Sequence, residues 1–118
     1  MSTRRQTTPA ELEMLQRETF DYFLNEVNPA NGLILDKTAP HWPASIAATG
    51  LGLACYPVGV ERGFMAREAA ASRTLATLRF FWTSPQGPEP DATGYRGFYY
   101  HFLDMQTGRR AWQCELST

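Results

Sequence analysis

Between residues 12 and 27 the apolar positions recur at helical spacing. Leu12, Leu15, Phe20, Phe23, Leu24 and Val27 fill one broad sector of a wheel, and Glu13, Arg17, Glu18, Asp21 and Asn25 fall mainly on the other side. Ahead of them, Thr8-Pro9-Ala10-Glu11 has the form of a capping box. Thr8 is the N-cap, Pro9 takes the first helical position and Glu11 reaches back to the cap amide. A helix is therefore predicted from Pro9, with Asn28-Pro29-Ala30-Asn31-Gly32 ending it and residues 1–8 as a flexible lead. The sector is wide enough to touch more than one neighbour.

The pattern then changes twice. Leu33-Ile34-Leu35-Asp36 is a short extended apolar run, and Ala39-Pro40-His41-Trp42-Pro43 is a rigid loop with an aromatic between two prolines. From Ala44 to Tyr56 the chain is apolar on every side, which predicts an enclosed helix ended by Pro57. Gly50 and Gly52 each cost such a helix about 1 kcal/mol, a penalty that makes sense where backbone comes close or the helix start needs open surface. A third helix is predicted over 61–83, with Ala71, Leu75, Leu78 and Trp82 as its apolar stripe.

Residues 84–94 hold three prolines and two glycines, so a long surface loop is expected. Gly97 to Leu103 is aromatic-rich strand material, Asp104 to Gly108 reads as a turn, and Arg109 to Gln113 as the returning strand of a β-hairpin. Two strands alone are marginal in water, so the hairpin must lie on helices or on further structure. Ser117 or Thr118 then stands where the N-cap of another helix would be. One helix apolar all round and another with a wide apolar sector expose more hydrophobic surface than a small soluble domain carries. Residues 9–118 are accordingly expected to open a larger all-helical domain, leaving apolar helix faces for the remainder of that domain or for self-association.

Composition narrows the function classes. The chain has 118 residues, and its 11 basic against 12 acidic side chains favour neither nucleic acid nor an anionic membrane. The uncharged run from Pro43 to Val60 is broken by its prolines into a stretch shorter than the ~20 residues a spanning helix needs. Cys55 sits in an apolar run where a free thiol packs as a small hydrophobe, and two cysteines with His41 and His101 form no metal-ligand spacing. No metal or cofactor is called for. Arg4-Arg5 has no apolar stretch after it, so the chain as written is expected in the cytoplasm, with the periplasm as the alternative for a full-length protein.

Four stretches in order, Gly32-Leu33-Ile34-Leu35-Asp36, Ala44 to Leu53, Arg96 to Asp104 (RGFYYHFLD) and Arg109 to Thr118 (RRAWQCELST), carry a family likeness. From about Leu12 to its end the chain resembles the opening of the bacterial glucoamylase-like (glycoamylase) family, which includes endo-β-1,2-glucanases and domains of cyclic β-1,2-glucan synthases. The resemblance implies a mainly α chain: the first three helices and a β-hairpin of an incomplete (α/α)6 toroid whose loops form a carbohydrate cleft at one end. It implies that the general acid lies in the segment after Ser117 and Thr118. The function it implies is a part of a glycoside hydrolase cleaving a β-glucan, β-1,2-linked in the closest reading, by acid/base catalysis, with this part inactive alone. The alternatives are a non-catalytic carbohydrate-binding or assembly module and a phosphorylase or transglycosylase domain of a glucan synthase.

Glycosidic cleavage usually needs two carboxyl groups, ~5.5 Å apart for retention or ~6.5 to 9.5 Å for inversion. Asp104 opens a turn, where aspartate serves local hydrogen bonding, and Glu61, Glu89 and Asp91 read as loop acids. No catalytic residue is assigned. The substrate-binding candidates are Asp36, Ser45, Tyr100, His101, Trp112 and Glu115. Each has a plainer role: a salt bridge with Lys37 for Asp36, an N-cap for Ser45, core packing for Tyr100, His101 and Trp112, and helix-start electrostatics for Glu115.

Overall fold

The computed structural model describes residues 4–117. Thr118, one of the two expected caps, and the first three residues of the expected N-terminal lead lie outside the described residues. Three helices, α1 (Pro9–Asn25), α2 (Ile46–Glu61) and α3 (Arg67–Thr83), pack in sequence order. Four two-residue strands accompany them: β1 (Ala44–Ser45), β2 (Gly94–Tyr95), β3 (Phe98–Tyr99) and β4 (Phe102–Leu103).

α1 starts where its cap predicts. Thr8 Oγ1 accepts from the Glu11 amide at 3.1 Å. The Glu11 carboxylate does not return to the cap; it accepts from the Arg5 guanidinium at 2.5 Å, a charge-assisted contact that outcompetes an amide in an exposed position. Only Phe20 of α1 is buried, and Leu12, Met14 and Leu15 stay exposed.

α2 runs through Pro57 to Glu61, beyond its expected end. The actual stop is Gly63, at φ +74°, whose amide donates to Val60 O at 3.1 Å while the Phe64 amide donates to Gly59 O at 2.7 Å. These two bonds close the helix end as a Schellman motif. An interior proline costs a helix about 3 kcal/mol. Here it is flanked by Tyr56 and Gly59, both buried, and Phe20 packs where a Gly59 side chain would stand. Tertiary packing therefore carries the helix past the break, and α3 begins at Arg67 rather than near Glu61.

The expected enclosure of α2 is not met within these residues. Thr49, Gly52, Tyr56 and Gly59 form a single buried stripe, and Leu51 and Val58 are exposed. Gly52 is required by the Ile34 side chain, whereas Gly50 faces open space. The stripe expected to bury α3 also points outward. Leu75, Leu78 and Trp82 are exposed, and the buried positions are Ala70 and Thr77. Small side chains there let α3 approach α2 and the Asn28–Gly32 turn closely, so close packing decided the face rather than hydrophobicity.

Two apolar clusters result. Phe20, Ile34, Tyr56, Phe64 and Ala70 form one between the helices; Leu33, Ala44, Ala92, Tyr100 and Leu103 form the other beneath the loops. Between them runs a ladder of short antiparallel pairings: Val27 with Ile34, Leu35 with Ala44, β1 with β4, and Leu103 with Arg110. The expected hairpin forms about the Asp104 turn, with the Asp104 amide donating to Arg109 O at 2.8 Å, the Ala111 amide to Phe102 O at 3.0 Å, and antiparallel bridges at Leu103–Arg110 and, past a kink, Tyr100–Leu116. Its outgoing strand is also shared with other segments: β3 pairs with β2 through a turn at Arg96 (φ +52°) and Gly97 (φ +89°), and β4 pairs with β1. The chain bends between Tyr99 and Phe102, so its two halves serve different neighbours. The Asp104 turn forms as expected: Asp104 Oδ1 accepts from the Gln106 and Thr107 amides at 2.9 and 2.8 Å.

Burial pushes the Tyr22 and Tyr56 hydroxyls and the Cys55 thiol above their ordinary values of 10.0 and 9.0. The Tyr56 hydroxyl is fully enclosed without a hydrogen-bond partner among the described residues. For a raised acid, the folded state holds its proton where the unfolded chain has released it. The stability this contributes is whole below the unfolded value and is lost as pH rises through the folded one. Urea midpoints are expected to hold steady from neutral pH to about 9 and to fall above about 10, with Tyr56→Phe reducing the fall.

Candidate functional site

The ladder brings three irregular segments together: the loop 36–43, the turn 104–108 and the segment 110–117. The Asp36 amide donates to Pro43 O at 3.0 Å and the Trp42 amide to Ala39 O at 3.2 Å, which closes the first loop on itself. Asn28 and Asn31 both donate side-chain amides to Met105 O, at 2.9 and 3.2 Å, tying the end of α1 to the Asp104 turn.

On this base stands a continuous aromatic array. Trp42 and Trp112 meet edge to face at 4.8 Å between centroids, Trp112 lies 5.1 Å from Phe102, and Phe102 lies 4.6 Å from His101. The Trp42 indole N–H donates to Asp36 Oδ2 at 3.0 Å, and Lys37 Nζ sits 4.1 Å from the same ring's centroid. Asp36 and Lys37 thus do not pair with each other among the described residues; both hold Trp42. A concavity of about 480 Å³ opens between Trp42, Trp112, His41, Asp104 and Gln106.

The backbone around the concavity is strained. Of the four non-glycine residues with positive φ among the described residues, His41 (+58°) and Trp112 (+56°) line the concavity, Gln113 (+50°) follows Trp112, and the fourth, Arg96, is accounted for by its turn. Each such residue costs about 1–3 kcal/mol and persists only where its surroundings over-determine it. Arg110 supplies part of that constraint: its Nε donates to Cys114 O at 2.7 Å, an Nη donates to Gln113 O at 2.9 Å, and its guanidinium lies over the Tyr100 ring at 4.3 Å. Cys114 adds more, since its sulfur accepts from the Phe102 amide at 3.2 Å and its thiol donates to Phe102 O at 3.4 Å.

The six candidates divide. Asp36, His101 and Trp112 belong to the array. Ser45 is buried, and its Oγ accepts from the Ala48 amide at 3.0 Å as the N-cap of α2. Tyr100 is buried as well, with its hydroxyl donating to Gly87 O at 3.2 Å. Both hydroxyls are engaged by the fold itself. Glu115 is exposed, with its carbonyl accepting from the His101 amide at 2.9 Å. Ser117 stands beside His101, Oγ to Nδ1 at 3.4 Å, and its amide donates to Tyr99 O at 2.7 Å. Trp42 and His41 were not among the candidates, although the setting of Trp42 between two prolines marked it as a fixed aromatic.

Asp104, on the rim, has its carboxyl held below the ordinary 3.8, chiefly by the Thr107 amide; burial opposes this, and the Gln106 amide adds to the lowering. Among the described residues no three His, Cys, Asp or Glu side chains gather as metal ligands would. Among the described residues no helix is long and apolar enough to cross a membrane.

The chain is glucoamylase-like in fold, its helices and short antiparallel sheet corresponding to one part of an (α/α)6 protein. A provisionally assigned glucoamylase of Bacteroides uniformis superposes with a TM-score of 0.70 at 32% identity, over 89% of this chain and 24% of that one. A second, from Bacteroides fragilis, shares the fold with a TM-score of 0.68 at 23% identity, over 92% of this chain and 26% of that one. In sequence the chain is 31% identical over 100 residues to an exo-β-1,2-glucooligosaccharide sophorohydrolase (non-reducing end) of Parabacteroides distasonis, a match covering 83% of this chain. The chain spans 13% of that relative's length. No family model matches it.

Proposed function

We propose that these residues form one wall of the carbohydrate cleft in a glucoamylase-like glycoside hydrolase that acts on β-1,2-linked glucooligosaccharides. The observation that carries the reading is the 31% identity to the sophorohydrolase over 83% of the chain. The array supplies rings and strained backbone at one rim, and supplies no free pair of carboxylates. Asp36 is engaged by Trp42 and Asp104 by its own turn, so these two carboxylates are not the acid and base pair of hydrolysis in this reading.

In this reading the exposed faces of α2 and α3 are covered by further helices of the same domain. The test is an assay of the whole protein on β-1,2-, β-1,3- and β-1,4-linked glucooligosaccharides with product analysis. Release of short β-1,2-linked products is expected, with no turnover by residues 1–118 alone. Turnover by residues 1–118, or by the whole protein only on other linkages, contradicts the reading.

A further inference from the structure

We propose that Trp112, braced by Trp42, is the platform of a pyranose-binding subsite that holds one glucosyl unit of a β-linked glucooligosaccharide without cleaving it. The inference rests on the hydrolase reading for its ligand and on the geometry of the 480 Å³ concavity for its place. That size is within the ~300–1,000 Å³ typical of small-molecule clefts.

Trp112 is 57% exposed although it belongs to an aromatic cluster. A large ring left open this way is normally free to move. This one is not: its backbone is held at φ +56°, and its ring is fixed between Trp42 and Phe102. Trp42 is in turn pinned through its indole N–H by Asp36 and covered by Lys37. The arrangement therefore spends backbone strain to present a rigid apolar surface to an open concavity. Such a surface suits a ligand with an apolar face and a polar rim. A β-linked pyranose has both, its axial C–H groups lying against an aromatic ring while its equatorial hydroxyls reach the polar wall formed by His41 and Gln106.

Cleavage at this position is disfavoured by the same geometry. The Asp104 carboxylate accepts two backbone amides and is held ionised, so it has no proton to give a leaving oxygen. Asp36 is committed to Trp42. The subsite thus positions a sugar distant from the bond that breaks, and its removal should weaken binding more than chemistry.

The test uses the whole protein with Trp112→Ala and Trp112→Phe, measuring kcat and KM on β-1,2-glucooligosaccharides of increasing length, with thermal midpoints alongside. For Trp112→Ala, KM is expected to rise about tenfold on the longer substrates while kcat changes less than about twofold; Trp112→Phe, which keeps a ring, should lie between. An unchanged KM overturns the proposal, and so does a lowered midpoint with unchanged KM, which would make Trp112 a packing residue. If Trp112→Ala does not fold, Trp112→Phe decides by the same split. If the wild-type protein hydrolyses no glucan, the hydrolase reading fails by itself. Quenching of indole fluorescence by β-1,2-glucooligosaccharides then judges the subsite: saturable quenching supports it and none removes it.

Discussion

Gly32→Ala is expected to lower the thermal midpoint by about 10 °C or more. Two costs coincide at this position. Gly32 has φ +76°, where a Cβ costs about 1–2 kcal/mol. The added methyl would also press on α3, 2.7 Å from Thr77 Cβ and 2.8 Å from Thr77 Cα, with Thr77 Oγ1 nearer still. Overpacking of this kind costs about 1–3 kcal/mol. Thr77 has little room to yield, being fully buried with its hydroxyl donating to Arg73 O at 2.9 Å. At roughly 4 °C per kcal/mol for a domain near this size, about 3 kcal/mol gives the stated shift. Gly63 is the internal control. It has φ +74° but nothing within reach of a Cβ, so Gly63→Ala should incur the backbone cost alone and shift the midpoint about half as far or less. Equal shifts for the two variants, read by calorimetry, would remove the steric half of the argument.

Features decided by neighbours in sequence were legible before the fold was seen. The Thr8 cap of α1, the Ser45 cap of α2 and the Asp104 turn each rest on a side chain binding an amide two or three residues on. Features decided across the chain were not. The run of α2 through Pro57 depends on the packing of Phe20 at Gly59, and the outward turn of the Leu75–Leu78–Trp82 stripe depends on how closely Thr77 meets Gly32. The sharing of the hairpin's outgoing strand depends on β4 also meeting β1 and β3 meeting β2. Periodicity reports which residues are apolar and not which partner is present.

The candidate site was legible in part for the same reason. Trp112 and His101 stood out because that segment is dense in rings. Trp42 did not, since its pairing with Trp112 exists only once the ladder closes. Ser45 and Tyr100 carried the right chemistry for sugar, yet burial gave their hydroxyls to the fold.

In the proposed arrangement, further helices of the whole protein cover the faces of α2 and α3 while the Trp42–Trp112 concavity stays open to substrate. Hydroxyl-radical labelling of the whole protein, read by mass spectrometry at individual tryptophans, tests it in one sample. Within the present chain Trp82 is 90% exposed and Trp112 is 57% exposed, so Trp82 has the greater access. The account predicts a reversed order in the whole protein, with Trp112 modified several-fold faster than Trp82. Faster labelling of Trp82 would contradict it.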